Sequence, residues 1–258
     1  MAGVRFLISG GFLYALRRYR GDPAPKAAEW RDAVIVGIFL LVGANGAVVW
    51  AEQFVPSALT ALLVATVPLW ILLMDAVRPA GQWPPLRGTI GILVGFGGVA
   101  LLFGSSADNA SSLNFYGAAA VVFASLSWAA GSLYARSATL PLSPLLGTGM
   151  QMLSGGAIQL VLGCLLGEWS GFHIGLVSLR SALALVYLTV VGSCAFVAYV
   201  WLLRVAPMSL VATYAYVNPL VAVLLGHFLA HEPMTIRSLA AAVLIIGSVI
   251  LVSIPKRG

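Results

Sequence analysis

Few side chains in this sequence could do chemistry, and nearly all of them lie inside apolar runs. Asn45, Gln151 and Asn218 are amides, Arg5 and Glu52 are charged, and Trp70, Trp128 and Tyr214 are aromatics with a polar end. A polar group in hydrocarbon is costly unless it is paired, so each marks either a structural hydrogen bond or a path for a polar solute. His227, His231 and Glu232 form His-x-x-x-His-Glu. A zinc-hydrolase helix would carry its glutamate between the histidines, so no metal is expected. No glycine loop with a following lysine is present to cradle a nucleotide phosphate, and no cofactor is expected.

Two prolines, Pro68 and Pro219, fall near the middle of their apolar runs. Each removes a backbone donor and frees the carbonyl four residues earlier, at Val64 and Ala215. A freed carbonyl is tolerated where it is buried in protein or lines a wet cavity, so these helix breaks either shape packing or face a solute. Tyr214 and Asn218 share a helix face, as do Thr66 with Trp70 and Trp128 with Ser132. These groups, with Asn45 and Gln151, are the candidate solute-binding set; the alternative for each aromatic is an interfacial anchor or core filler. Glu52 follows Asn45 by seven residues on the same predicted face. Arg5 and Glu52 are the candidate gate or coupling pair, against simple snorkelling of Arg5 to the interface.

Such groups need long apolar elements to hold them, and the composition supplies these. Of 258 residues, 60% are hydrophobic and 9% charged. A soluble domain carries about a quarter charged residues, so a soluble enzyme or a free nucleic-acid-binding protein is excluded. Barrel strands would alternate, whereas this chain has continuous apolar blocks. An all-α polytopic membrane protein with about nine spans is expected: Ala2 to Leu16, Ala33 to Ala51, Ser57 to Val77, Leu86 to Gly104, Phe115 to Tyr134, Leu145 to Gly167, Ser181 to Leu203, Met208 to Ala230 and Ile236 to Ile254. Cys164 and Cys194 lie within these blocks and read as small buried fillers. Glycines such as Gly91, Gly95, Gly97 and Gly98 read as places of close helix packing. Arg17, Arg18, Arg20, Lys26, Arg31, Arg78, Arg87, Arg136, Arg204, Lys256 and Arg257 fall on one side, and only Arg180 and Arg237 on the other. The basic side is cytoplasmic, which puts the carboxyl terminus inside and the amino terminus outside.

A repeat organises the chain. Trp50, Pro56, Leu59, Ala61, Pro68 and Leu69 recur 151 residues later as Trp201, Pro207, Leu210, Ala212, Pro219 and Leu220. Arg87 and Gly97 recur 150 residues later, and Gly3, Leu7 and Gly10 recur at 146 as Gly149, Leu153 and Gly156. The same 146 offset places Gln151 at the position of Arg5. The charge count sends equivalent spans in opposite directions, the inverted-repeat architecture of alternating-access transporters. The repeats are residues 1–106, with four helices, and 114–255, with five. The span Phe115 to Tyr134 has no counterpart, so a ten-helix protein lacking its first helix is expected.

The motifs Ala2-Gly3-Val4-Arg5-Phe6-Leu7, Val55-Pro56-Ser57-Ala58-Leu59, Ala65-Thr66-Val67-Pro68-Leu69 and Ser127-Trp128-Ala129-Ala130-Gly131-Ser132 resemble those of EamA permeases of the drug/metabolite transporter superfamily. Tyr214 to Gly226, with Asn218-Pro219, and the following Glu232 resemble the second-half signature. The resemblance covers essentially the whole chain. It implies ten helices and export of metabolites or drugs across the cytoplasmic (inner) membrane. The expected partners are a small-molecule substrate and the lipid bilayer, with no nucleic acid; a homodimer stays open. Two rival readings are a truncated, non-transporting fragment and an intramembrane enzyme, for which only His227, His231 and Glu232 come together.

Overall fold

In the computed structural model the described residues are 2–55, 57–77, 86–107, 114–168, 177–218 and 236–253, with 221 and 228. Among them all regular structure is helical. The elements are α1 (Ala2–Tyr19), α2 (Ala27–Gly37), a π-helical segment (Ile38–Gly46), α3 (Ala47–Ala51), α4 (Ser57–Val64), α5 (Val67–Ala76) and α6 (Leu86–Ala107). They continue as α7 (Phe115–Ser137), α8 (Pro144–Leu165), α9 (Leu179–Val205), α10 (Met208–Ala212), α11 (214–218) and α12 (Ile236–Ser253). Among the described residues four helical rods are long and apolar enough to cross a membrane: Ala27–Ala51, Phe115–Ser137, Pro144–Leu165 and Leu179–Val205. Val67–Ala76, Leu86–Leu101 and Leu239–Leu251 are shorter apolar helices.

Local chemistry sets where these helices start. Asn114 Oδ1 accepts from Gly117 N at 3.1 Å, Ser143 Oγ from Leu146 N at 3.3 Å, and Ser178 Oγ from Ser181 N at 3.1 Å. Each satisfies a donor that a first turn would leave bare. Helix α2 begins at Ala27, six residues ahead of the expected Ala33, because the Glu29 carboxylate accepts the Lys26 N–H at 2.6 Å.

Two expected spans are interrupted. Ser57 to Val77 divides at Ala65–Thr66, and the span from Met208 divides at Thr213. In both places a threonine hydroxyl donates to the carbonyl three residues back, Thr66 to Leu63 at 2.5 Å and Thr213 to Leu210 at 2.7 Å. That bond competes with the helical ladder. Pro68 follows the first break, buried in the opening turn of α5. Pro219 lies outside the described residues, as do Arg78, His227, His231 and Glu232. The carbonyl that gathers hydroxyls is that of Leu63, one residue before the expected Val64, and Ser125 Oγ joins Thr66 on it at 3.2 Å.

The chain folds as two compact units, and each draws on both repeats. The first unit is Met1–Gly46 with Gly131–Val205; the second is Ala47–Ala130 with Ala206–Gly258. In the first, α1 packs along α8, its equivalent at offset 146. A Cβ placed on Gly3 would lie 2.9 Å from the Gly156 oxygen, and one on Gly10 2.8 Å from the Gly149 oxygen. The repeat exchanges these two contacts, since Gly3 corresponds to Gly149 and Gly10 to Gly156. Without side chains there, the two backbones meet directly. In the second unit α6 packs along α12, again its repeat equivalent. A Cβ on Gly95 would meet Ser248 Oγ at 2.7 Å and one on Gly98 would meet Ile245 Cγ1 at 3.0 Å; at offset 150 these contacts also exchange. Tyr216, Ala65, Ile92, Val99 and Ile245 form the apolar core beside them.

Two packing expectations are corrected. A Cβ added at Gly97, or at its equivalent Gly247, would meet no atom within 4 Å, so neither is a packing glycine. Cys164 and Cys194 are exposed thiols, not buried fillers. A lipid-facing helix surface is itself apolar, so a cysteine there escapes burial at no cost.

Candidate functional site

In the first unit the polar groups gather around the π-helical segment. Arg5 Nη2 donates to Asn45 Oδ1 at 3.2 Å, and the guanidinium lies 4.6 Å from the Phe6 ring centroid. Gln159 Nε2, from α8, donates to the Leu41 carbonyl at 2.6 Å. Arg5 Nε and Gln159 Oε1 are buried and find no partner among the described residues. Asn45, near the end of the π segment, is half-buried, and Glu52, one residue past α3, is exposed in the second unit. Gln151, the counterpart of Arg5, is fully buried, and both its amide oxygen and nitrogen lack partners among the described residues. An unpaired buried amide costs about 1–3 kcal/mol, so Gln151 is a costly side chain to keep. At offset 151 the position of Asn45 is occupied by Phe196, which has no group to offer it.

The second unit holds the aromatics. Trp128 and Tyr214 are in ring contact, with centroids 6.3 Å apart at 49°. Trp70 Nε1 donates to Thr66 Oγ1 at 3.0 Å, so the tryptophan is anchored on the break between α4 and α5. Asn218 is exposed and Tyr214 is half-buried on the same helix. Trp128 and Ser132, placed together on one face by spacing, divide between the units. Ser132 shares a buried 2.6 Å hydrogen bond with Tyr199 in the first.

Three polar groups escape sequence reasoning. Asp32, buried in the middle of α2, accepts from Thr139 N at 2.7 Å, Arg31 Nε at 2.9 Å and Tyr134 OH at 3.1 Å. Its carboxylate ties the end of α7 and the loop after it to α2. Nothing near Asp32 in sequence signals this, because two of its partners lie more than 100 residues away. Ser9 Oγ donates to the Thr189 carbonyl at 3.0 Å and accepts from Ser193 Oγ at 2.6 Å, joining α1 to α9. Gln159 could have been found from the repeat, which sets it opposite Leu13 and so marks it as polar in one copy only.

Repeat-paired helices with polar groups held inside them define a multi-pass helical membrane protein of the duplicated transporter class. The EamA-like transporter family matches residues 1–104 and 115–254, and the chain belongs to that family. It is 38% identical, over 99% of its length and 81% of the relative's, to the "uncharacterized inner membrane transporter YedA" of Escherichia coli (strain K12). It is 23% identical, over 98% of its length and 81% of the relative's, to the "uncharacterized transporter YvbV" of Bacillus subtilis (strain 168). A solved crystal structure shares the fold with a TM-score of 0.78 at 21% identity, over 98% of this chain and 85% of that one.

Proposed function

We propose that this EamA-family transporter is an inner-membrane exporter of small metabolites or drugs, working by alternating access of its inverted repeats. The observation that carries the reading is the reciprocal packing of repeat-equivalent helices, Gly3 on Gly156 with Gly10 on Gly149. A duplicated frame of this kind gives one sequence pattern in two orientations, the basis of switching between two faces. The name of the Escherichia coli relative supports the inner membrane. The charge count supports a cytoplasmic carboxyl terminus. Transport rather than catalysis fits the polar groups, which among the described residues are amides, hydroxyls and aromatics without a convergent acid and base.

In the first unit the solute-contacting groups are Asn45 and Gln151, and in the second Trp70, Trp128, Tyr214 and Asn218. Arg5 and Glu52 take gate or coupling roles, and Pro68 follows the helix break at Ala65–Thr66. Reconstituted vesicles offered a panel of radiolabelled amino acids and fluorescent cationic drugs test this directly. Counterflow of at least one compound above protein-free vesicles is expected, falling at least tenfold in Arg5→Ala. Absence of flux for every compound would count against the exporter reading. Unchanged flux in Trp128→Ala and Asn218→Ala would remove those residues from the solute path.

A further inference from the structure

We propose that Gln159 is a positioning residue whose bond to Leu41 holds the π register of Ile38–Gly46, and that this register is what brings Asn45 to Arg5. The inference rests on the reading of Arg5 and Asn45 as solute-handling groups. A π-helix fits an extra residue into its turns and is seldom stable without support from outside. The repeat locates that extra residue. On α8, Gly155 approaches Gly37 O and Leu41 Cβ, at 3.1 and 2.9 Å from a Cβ placed on it. Its equivalent on α1, Ser9, contacts Thr189 O at 3.0 Å and Ser193 Oγ at 2.6 Å. Residues 37 and 189, like 41 and 193, are therefore 152 apart, whereas Trp50 and Trp201 are 151 apart. The first repeat holds one residue more than the second between Leu41 and Trp50. It falls in the π segment, while α9 runs as uninterrupted α-helix through the equivalent stretch.

Two bonds from outside fix the segment. Gln159 Nε2 takes the Leu41 carbonyl at 2.6 Å, and Arg5 Nη2 takes Asn45 Oδ1 at 3.2 Å. The second repeat offers neither, since Leu13 stands for Gln159 and Gln151 for Arg5. Losing the first bond lets the segment relax to α-helix, which turns all that follows by about 100° and takes Asn45 from Arg5. Gln159 Oε1 and Arg5 Nε are buried beside these bonds and find no partner among the described residues, one acceptor and one donor left to a solute.

The test uses the full chain carrying Cys164→Ser and Cys194→Ser, reconstituted in lipid vesicles. Single cysteines Ala47→Cys, Val48→Cys, Val49→Cys, Trp50→Cys and Ala51→Cys are reacted in turn with N-ethylmaleimide. Deleting Gly43 is expected to leave the order of reactive and protected positions unchanged, because the deletion removes the extra residue. Gln159→Leu is expected to move that order by one residue, and Gln159→Leu with Gly43 deleted to restore it. A one-residue shift on deleting Gly43 alone, or an unchanged order in Gln159→Leu, would overturn the proposal. Should Gln159→Leu not fold, Gln159→Met serves in its place, and the Gly43 deletion in the unsubstituted chain decides the register by itself. The labelling needs no solute, so failure of the vesicle flux screen and failure of this register test are separate results.

Discussion

Helices α1 and α8 are the same backbone written twice with different chemistry. Both end on a glycine in the left-handed region, Gly21 at φ 91° and Gly167 at φ 76°. Both close with the same pair of bonds: Asp22 N to Arg17 O and Gly21 N to Arg18 O in one, Glu168 N to Gly163 O and Gly167 N to Cys164 O in the other. These bonds satisfy carbonyls that the helix end leaves free, and every partner lies 146 residues from its equivalent. Their contact face is shared as well, glycine against glycine. The side chains diverge. Arg5, Ser9 and Arg17 on α1 stand where α8 has Gln151, Gly155 and Gly163, and Gln159 on α8 stands where α1 has Leu13. Backbone contacts constrain both copies equally, whereas each polar group is free to exist in one copy only.

The shared frame should be the most sensitive to change, and equally so in either copy. Gly10→Leu and Gly156→Leu each force atoms into backbone at under 3.0 or near 3.0 Å, and each should cost about 3 kcal/mol or more, read as the thermal midpoint in detergent. Gly97→Ala and Gly247→Ala, with open space around them, should be neutral or stabilise by up to about 1 kcal/mol through helix propensity. A large loss in only one member of either pair would break the equivalence of the repeats. The buried carboxylate comes next, since it belongs to the first repeat alone. Asp32→Leu strands the Thr139 N–H and Tyr134 OH and should cost about 2–3 kcal/mol, while Asp32→Asn should retain part of it.

Gln151 should respond in the opposite direction. Replacing an unpaired buried amide with an apolar side chain of similar size, as in Gln151→Leu, should raise stability by about 1–2 kcal/mol. Flux in the vesicle assay should fall at the same time. Higher stability with unchanged flux would show that Gln151 does not meet the solute. That contrast also bears on what the sequence can reveal. Apolar run length and the constant offsets of Trp, Pro and Gly made the helical class and the repeat-equivalent positions legible, because these depend on spacing within one repeat or between two. The π segment Ile38–Gly46 was not legible. Its residues look like any apolar helix, and its hydrogen-bond partner is 118 positions away. The helix breaks lie at Ala65–Thr66, just ahead of Pro68, and at Thr213, and in both a threonine hydroxyl takes the carbonyl three residues back. Side-chain partners set by tertiary packing leave no local pattern, so Trp128 could be singled out by type and depth but not paired with Tyr214.

The smallest difference lies at the helix ends. Arg17 Nε and Nη2 donate to the two Asp22 carboxylate oxygens at 2.9 and 2.7 Å, and Arg18 Nη1 to the Asp22 carbonyl. The equivalent Glu168 has Gly163 where Asp22 has Arg17, so it has no guanidinium there. The Arg17 hydrogen bonds hold the Asp22 carboxyl below its ordinary value. A depressed folded pKa means that the unfolded chain binds the proton first. The stabilisation is therefore complete above the unfolded value of about 3.9, and it is lost as pH falls through the lower folded value. Between pH 5 and pH 3 the thermal midpoint of the unsubstituted chain should fall slightly more than that of Asp22→Asn. Arg17→Gly, which copies the second repeat, should flatten the same difference. Added salt should shrink it too, since the pair is at the surface. Equal slopes in all three chains would mean that the first repeat's ion pair adds nothing to the helix end that the shared backbone bonds do not already provide.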